Sequence, residues 1–151
     1  MLTTIESDGA LASRPMAPLE MDANGALWFF TDMRSSKVDH IQVANLTFTD
    51  TGRGTYVSLS GSGEIDNDRG RIERLWTPMA KPWFLDGPAS TALALVKFVP
   101  NVADYWDASN SRMVRAFSLI ASAVTGKPIA MGDHGSHTGL SSAAVLRGDA
   151  S

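Results

Sequence analysis

Apolar and polar positions alternate most clearly in TYVSLSGSGEI, residues 55–65. Tyr56, Ser58, Ser60 and Ser62 fall on one face and Val57, Leu59 and Gly61 on the other, the period of a half-buried strand. Gly61 and Gly63 mark a bulge or a close backbone approach within it. Upstream, LTTI (2–5) is short and β-prone, and the SDG that follows is a turn signal. Leu11 to Met21 reads as a second strand, of edge or interrupted character, because Pro15 and Pro18 cannot donate to a ladder. Asn24-Gly25 is the strongest hairpin dipeptide. Ala26 to Thr31 then reads as a strand apolar on both faces, which needs core on one side and a ligand or partner on the other. NLTFTD (45–50), TALALVKFVP (91–100) and VADYWDA (102–108) complete the strand set.

Three helices are expected between and after these strands. Ser35 or Ser36 caps a short one to about Ala44. Asp66 to Asp68 cap a second, with Ile72, Leu75, Trp76 and Met79 at helical spacing until Pro78 and Pro82 break it. Met113, Phe117, Ile120 and Val124 mark a third, stopped at Gly126 and Pro128. The remainder lacks periodicity, so the expected organisation is a domain over 1–126 and a flexible tail over 127–151. Six or seven strands in hairpin order, with helices inserted, predict a mainly β, α+β fold: an antiparallel barrel with peripheral helices rather than a doubly wound sheet.

The 151 residues suit one domain with a real core. A net charge of -3 gives no basic footprint for duplex nucleic acid. The absence of cysteine removes disulfides, thiolate metal sites and cysteine nucleophiles. No apolar run approaches the ~20 residues of a membrane span. The first residues, MLTTIESDGA, lack the basic and apolar regions of a secretory signal. A cytoplasmic protein with no nucleic-acid or membrane partner is the resulting expectation. His134 and His137 lack a third ligand nearby, so no metal is expected.

The chemistry-bearing residues cluster around WFFTDMRSSKV, residues 28–38. Thr31, Ser35, Ser36 and Lys37 place hydroxyls and a cation beside main-chain N–H groups at a helix start, a set that favours an anion. The plainer alternative is a serine cap with a solvated lysine. Phe29 and Phe30 point to opposite faces, and core packing accounts for at least one of them. Arg14, beside Pro15 and Met16, offers either a bidentate phosphate contact or an ordinary edge-strand charge. Of the four tryptophans, Trp76 reads as core, while Trp83 and Trp106 lie next to chain breaks and face either the interior or a ligand. A flat ligand with an anionic tail would use all of these residues, and capping with core packing is the plainer alternative that stays open beside it.

SRPM, LWFFT, SSKV, YVSLSG and YWD occur in this order, with RIERLWTPMAKPWF between the last two. The ordered set, over about residues 1 to 127, resembles the general stress protein 26 branch of the pyridoxamine 5′-phosphate oxidase-like flavoproteins. That resemblance implies an FMN-binding split barrel working as a homodimer, with two flavins at the subunit interface. Arg14, Pro15 and Met16 would then lie along the flavin and its phosphate chain. Phe30 and Thr31, with Phe29 beside them, would meet the ring by main chain and side chain. Ser36 and Lys37, with Ser35, would hold the phosphate. Trp106 would approach from the other subunit, and Trp83 and Phe84 would border the cleft. The chain departs from the wider family in two ways. A helix usual before the first strand is missing, and Val114 stands where pyridoxamine phosphate oxidases carry the histidine of an Arg-x-His motif, two residues after Arg112. A flavin-dependent oxidoreductase of unassigned substrate is thus expected, with a non-catalytic flavin-binding or stress-response module as the rival.

Overall fold

The computed structural model describes residues 1–35, 40–106 and, as main chain, 134–138. The elements are β1 (Leu2–Ile5), β2 (Leu11–Arg14), β3 (Glu20–Met21), β4 (Leu27–Asp32), β5 (Ala44–Asp50), β6 (Thr55–Asp66), α1 (Arg69–Leu75), a 3-10 turn (Pro78–Ala80), β7 (Leu93–Trp106) and β8 (His134–Thr138). The strands form one antiparallel sheet in the order β2-β1-β5-β6-β7-β4-β3, with β8 added to β7.

The two outermost strands of that order, β2 and β3, are consecutive in the chain. The segment 15–19 between them can span at most about 20 Å. The sheet therefore curls until its edges face each other, making a barrel split along the seam that 15–19 crosses. Pro15 and Pro18 lie in this crossing. The stretch expected as one interrupted strand is thus two short strands on opposite edges.

Alternation along β4 builds two cores. Leu27 and Phe29 point into the barrel with Leu2, Leu46, Leu59 and Phe98. Trp28 and Phe30 point outward and are covered by Ile72 and Leu75 of α1, by Ala80, and by the partly buried Trp76 and Phe84. The second cover that the doubly apolar strand requires is therefore the chain's own α1 and 76–84 segment, not a ligand or partner. Asp68 caps α1, its carboxylate accepting the Arg71 N–H at 2.9 Å. Thr77 is extended, as a residue before proline must be, so the helix ends at Leu75. Met79 consequently loses phase with Ile72 and Leu75 and is exposed. Arg71 lies 3.9 Å over the Trp28 ring, whose N–H donates to Asp22 at 3.0 Å. That carboxylate also accepts the N–H groups of Asn24 and Ala26, fixing a turn in which Gly25 takes a φ of 82°.

The two strands expected over 91–108 are one, β7. Ser60 pairs with Val102 and Gly61 with Pro100, so Asn101 is the extra residue of a bulge that lets pairing run past the proline. Gly61 is needed there: a Cβ would sit 2.1 Å from the Val99 carbonyl oxygen. The helix expected from Ser35 does not reach Ala44, which opens β5 and pairs with Thr4 and Gly61. Instead the Gly63 N–H donates to the Ile41 carbonyl at 2.9 Å, holding the incoming turn against β6. The helix expected over 113–124 lies outside the described residues. Within the stretch expected as a flexible tail, His134–Thr138 forms β8 on Val102–Trp106. It takes the side of β7 that β4, paired only to Leu93–Phe98, leaves open.

Candidate functional site

The seam collects polar groups that secondary structure leaves over. On β4 the Trp28 carbonyl accepts the Leu19 N–H at 2.8 Å, while the Met33 N–H donates across to Ala92 on the β7 side. Main-chain direction alternates along a strand, so the N–H and C=O of Phe30 point away from β7, into the seam. β3 pairs only with Leu27 and Trp28 and does not reach Phe30. The crossing segment opposite contains two prolines, which lack donors. Next along β4, Thr31 is fully buried and its hydroxyl oxygen has no hydrogen-bond partner. The rings of Phe29 and Phe30 are 1 % and 7 % exposed. Phe30 packs against Trp76 and Phe84 at centroid distances of 5.6 and 5.9 Å. Neither ring is therefore a free wall; what β4 presents to the seam is main chain.

Arg14, at the end of β2, borders the same seam. Its guanidinium donates to Glu6 Oε1 at 2.9 Å and to the Thr4 hydroxyl at 3.2 Å. Thr4 is fully buried and in turn donates to Glu6 Oε1 at 3.3 Å. The hydrogen bond and charge of Arg14 hold the Glu6 carboxyl below its ordinary range, with a smaller contribution from the charge of His40. Met16 packs against the barrel core and Pro15 is exposed.

The turn after β4 continues the arrangement. Ser35 donates its N–H to the Asp32 carbonyl at 3.0 Å. Asp32 holds Arg34 through two oxygens, at 2.6 and 2.9 Å, raising the arginine's pKa further. Ser36 and Lys37 lie outside the described residues. Trp83, 76 % exposed, joins Asp32, Arg34, Phe84 and Ser90 around a cavity of about 170 Å³. Trp106 is 43 % exposed beside its cross-strand neighbour Tyr56, on the outer face of the sheet. Within this chain the structure thus brings Arg14–Met16 and Phe30–Thr31 to one seam, and Trp83 to the turn just beyond it.

A sequence model described as Pyridoxamine 5'-phosphate oxidase like matches residues 1–129. The chain belongs to the pyridoxamine 5′-phosphate oxidase-like family. A curated relative, protein bli-3 of Neurospora crassa, is 28% identical over 141 residues, covering 85% of this chain and 68% of that protein. A general stress protein 26 from Jannaschia sp. CCS1 superposes with a TM-score of 0.62 at 26% identity, covering 91% of this chain and 88% of the other. A general stress FMN/FAD binding protein from Xanthomonas citri gives 0.58 at 28% identity, over 70% of this chain and 78% of the other. A general stress protein 26-related protein from Clostridium acetobutylicum, at 23% identity and a TM-score of 0.63, shares the split-barrel fold over 70% of this chain and 77% of its own.

Within this family member, the sequence pattern did not single out Glu6 or Thr4. Glu6 follows β1 directly, before a turn, and nothing in its spacing announces a partner eight residues on. The pairing exists because β1 and β2 form a hairpin in which Leu2 faces Arg14. Among the described residues, no three His, Asp or Glu side chains are grouped to hold a metal ion. No helix among them is long and apolar enough to cross a membrane.

Proposed function

We propose that this chain binds FMN along the seam and works as one protomer of a homodimeric flavoprotein, residues 1–126 forming the flavin-binding domain. The observation that carries the reading is the buried Thr31 hydroxyl of β4, which has no hydrogen-bond partner, one residue beyond a Phe30 main chain that β3 does not reach, with the Arg14 cation bordering the same seam. A planar heterocycle with donors and acceptors along its rim fits such an edge, and a phosphate fits a guanidinium. The residues present therefore fit the group that the general stress FMN/FAD binding protein of Xanthomonas citri is named for. Arg14, Ser36 and Lys37 would hold the phosphate, with Ser35 at its border. Phe30 would offer main-chain groups, and Thr31 a hydroxyl once its cover shifts. Met16 and Pro15 would line the seam. Trp83 would close one side, and Trp106, exposed on the outer face, would reach the partner protomer's site. The bound flavin would supply reversible hydride or electron transfer, while this chain's residues bind, orient and exclude water. A chain without cysteine is compatible with work in the cytoplasm.

Titration of the purified chain with FMN and with riboflavin, followed by flavin fluorescence, tests the reading. FMN is expected to bind at least about tenfold tighter than riboflavin, the margin of one charge-assisted contact. A chain that takes up neither flavin overturns the proposal. Anaerobic reduction of the loaded protein by NAD(P)H, with acceptors added, separates an oxidoreductase from a binding module that does not turn over.

A further inference from the structure

Arg14 meets a carboxylate of its own chain. Glu6 Oε1 is 2.9 Å from one terminal nitrogen of the guanidinium, and the buried Thr4 hydroxyl is 3.2 Å from the other. The acid is not loosely placed. Its residue is fixed in the turn by its own N–H, which donates to the Ala10 carbonyl at 2.8 Å, and by its carbonyl, which accepts from Gly9 at 2.9 Å. Thr4 supplies a further bond to the same oxygen. The side chains of Arg14 and Glu6 remain 27 % and 22 % exposed, so an incoming anion can reach the pair.

We propose that Glu6 is an internal competitor for the phosphate of the ligand, so that Arg14 exchanges one anion for another on binding. The inference rests on the flavin reading above. A carboxylate at 2.9 Å occupies donors that a phosphate would use, and two anions around one guanidinium repel each other at short range. Glu6 must therefore turn out toward solvent as the phosphate enters. The exchange weakens binding of any phosphorylated ligand, leaves unphosphorylated ligands untouched, and keeps Arg14 ordered in the ligand-free chain. Glu6 acts here through Arg14, as a positioning residue that sets selectivity for the anionic tail.

Glu6→Gln keeps the side-chain length and an oxygen for Thr4 and removes the charge. The measurements are dissociation constants for FMN and riboflavin, and the concentration of inorganic phosphate that displaces FMN, for the wild-type chain and the variant. The expected result is FMN binding about five- to tenfold tighter in Glu6→Gln, with riboflavin within about twofold. The inhibition constant of inorganic phosphate, taken from that displacement after correction for the FMN affinity, should fall by a similar factor. Glu6→Ala, which also removes the oxygen, should give the same ordering and stands in if the glutamine variant folds poorly. FMN affinity unchanged or weakened in both variants, with wild-type binding intact, overturns the competitor role and leaves the flavin reading standing. Failure of the wild-type chain and both variants to bind FMN overturns both.

Discussion

Replacing Thr31 by valine should make the flavin-free protein more stable. Thr31 is fully buried, on the core-facing side of β4, and pairs with Ala94 across the ladder. Its hydroxyl has no partner. A hydroxyl removed from water without a compensating bond costs about 1–3 kcal/mol. Valine has nearly the same shape, so no cavity opens, and it suits a strand at least as well. The net gain is therefore expected at about 1–2 kcal/mol, below the full penalty because the new methyl must fit a space packed around oxygen. For a chain of this size that corresponds to a melting temperature higher by about 3 to 8 °C. The assay is a thermal melt by circular dichroism on protein freed of flavin, checked by visible absorption. With saturating FMN the order should reverse in one respect: the increment that ligand adds to the melting temperature should be smaller for Thr31→Val than for wild type. A flavin-free Thr31→Val protein that melts at or below the wild-type temperature would show the hydroxyl to be satisfied, and the orphan argument would fail.

Asp22→Ala should cost about 2–3 kcal/mol in urea unfolding, because one carboxylate serves the Asn24 and Ala26 N–H groups and the Trp28 indole, and Trp28 is only 2 % exposed. Gly61→Ala should cost about 3 kcal/mol, since the added methyl meets main-chain atoms of Val99 and Pro100 that cannot move without breaking the bulge; a loss below about 1 kcal/mol would mean the ladder yields there. The carboxyl groups of Glu6 and Glu20 are held below their ordinary value of 4.5 by Arg14 and Arg74 respectively. A lowered folded pKa contributes stability that is present above the unfolded value and lost as pH falls through the folded one. Urea midpoints for wild type should therefore drop more between about pH 6 and about pH 3 than those of the Glu6→Gln, Glu20→Gln double variant. Equal drops would refute the assignment.

The elements most legible in the sequence were those decided by neighbours in the chain. Period-two alternation located β6, Asn24-Gly25 located the β3–β4 hairpin, and Asp68 the start of α1. What escaped was decided by groups far apart. Pro100 and Asn101 look like a break in 91–108, but Gly61 on the facing strand gives the space in which pairing continues. The doubly apolar pattern of 26–31 correctly demanded two covers, yet nothing in it says that residues 76–84 return to supply the second. β8 is joined to β7 through main-chain pairing, which leaves no periodicity in side chains. For the candidate site, the pattern pointed to Arg14 and Thr31. It could not show Glu6 against Arg14, because that contact follows from hairpin register.

The seam explains why these leftovers gather in one place. A fully closed barrel pairs every strand on both sides and leaves no polar main chain at its wall. Here closure is given to a five-residue crossing between β2 and β3, two of whose members are prolines without an N–H. β3 itself is only two residues long, so its pairing with β4 stops at Trp28, and among the described residues no strand takes it up again before the turn at Asp32. The buried Thr31 hydroxyl beside this stretch, which has no hydrogen-bond partner, is costly in a folded chain. It is tolerated because the β4–β7 ladder and two apolar cores fix that stretch of β4 regardless. β4 is thus rigid along the stretch that β3 does not reach, and the ligand proposed above would bind there without having to order it.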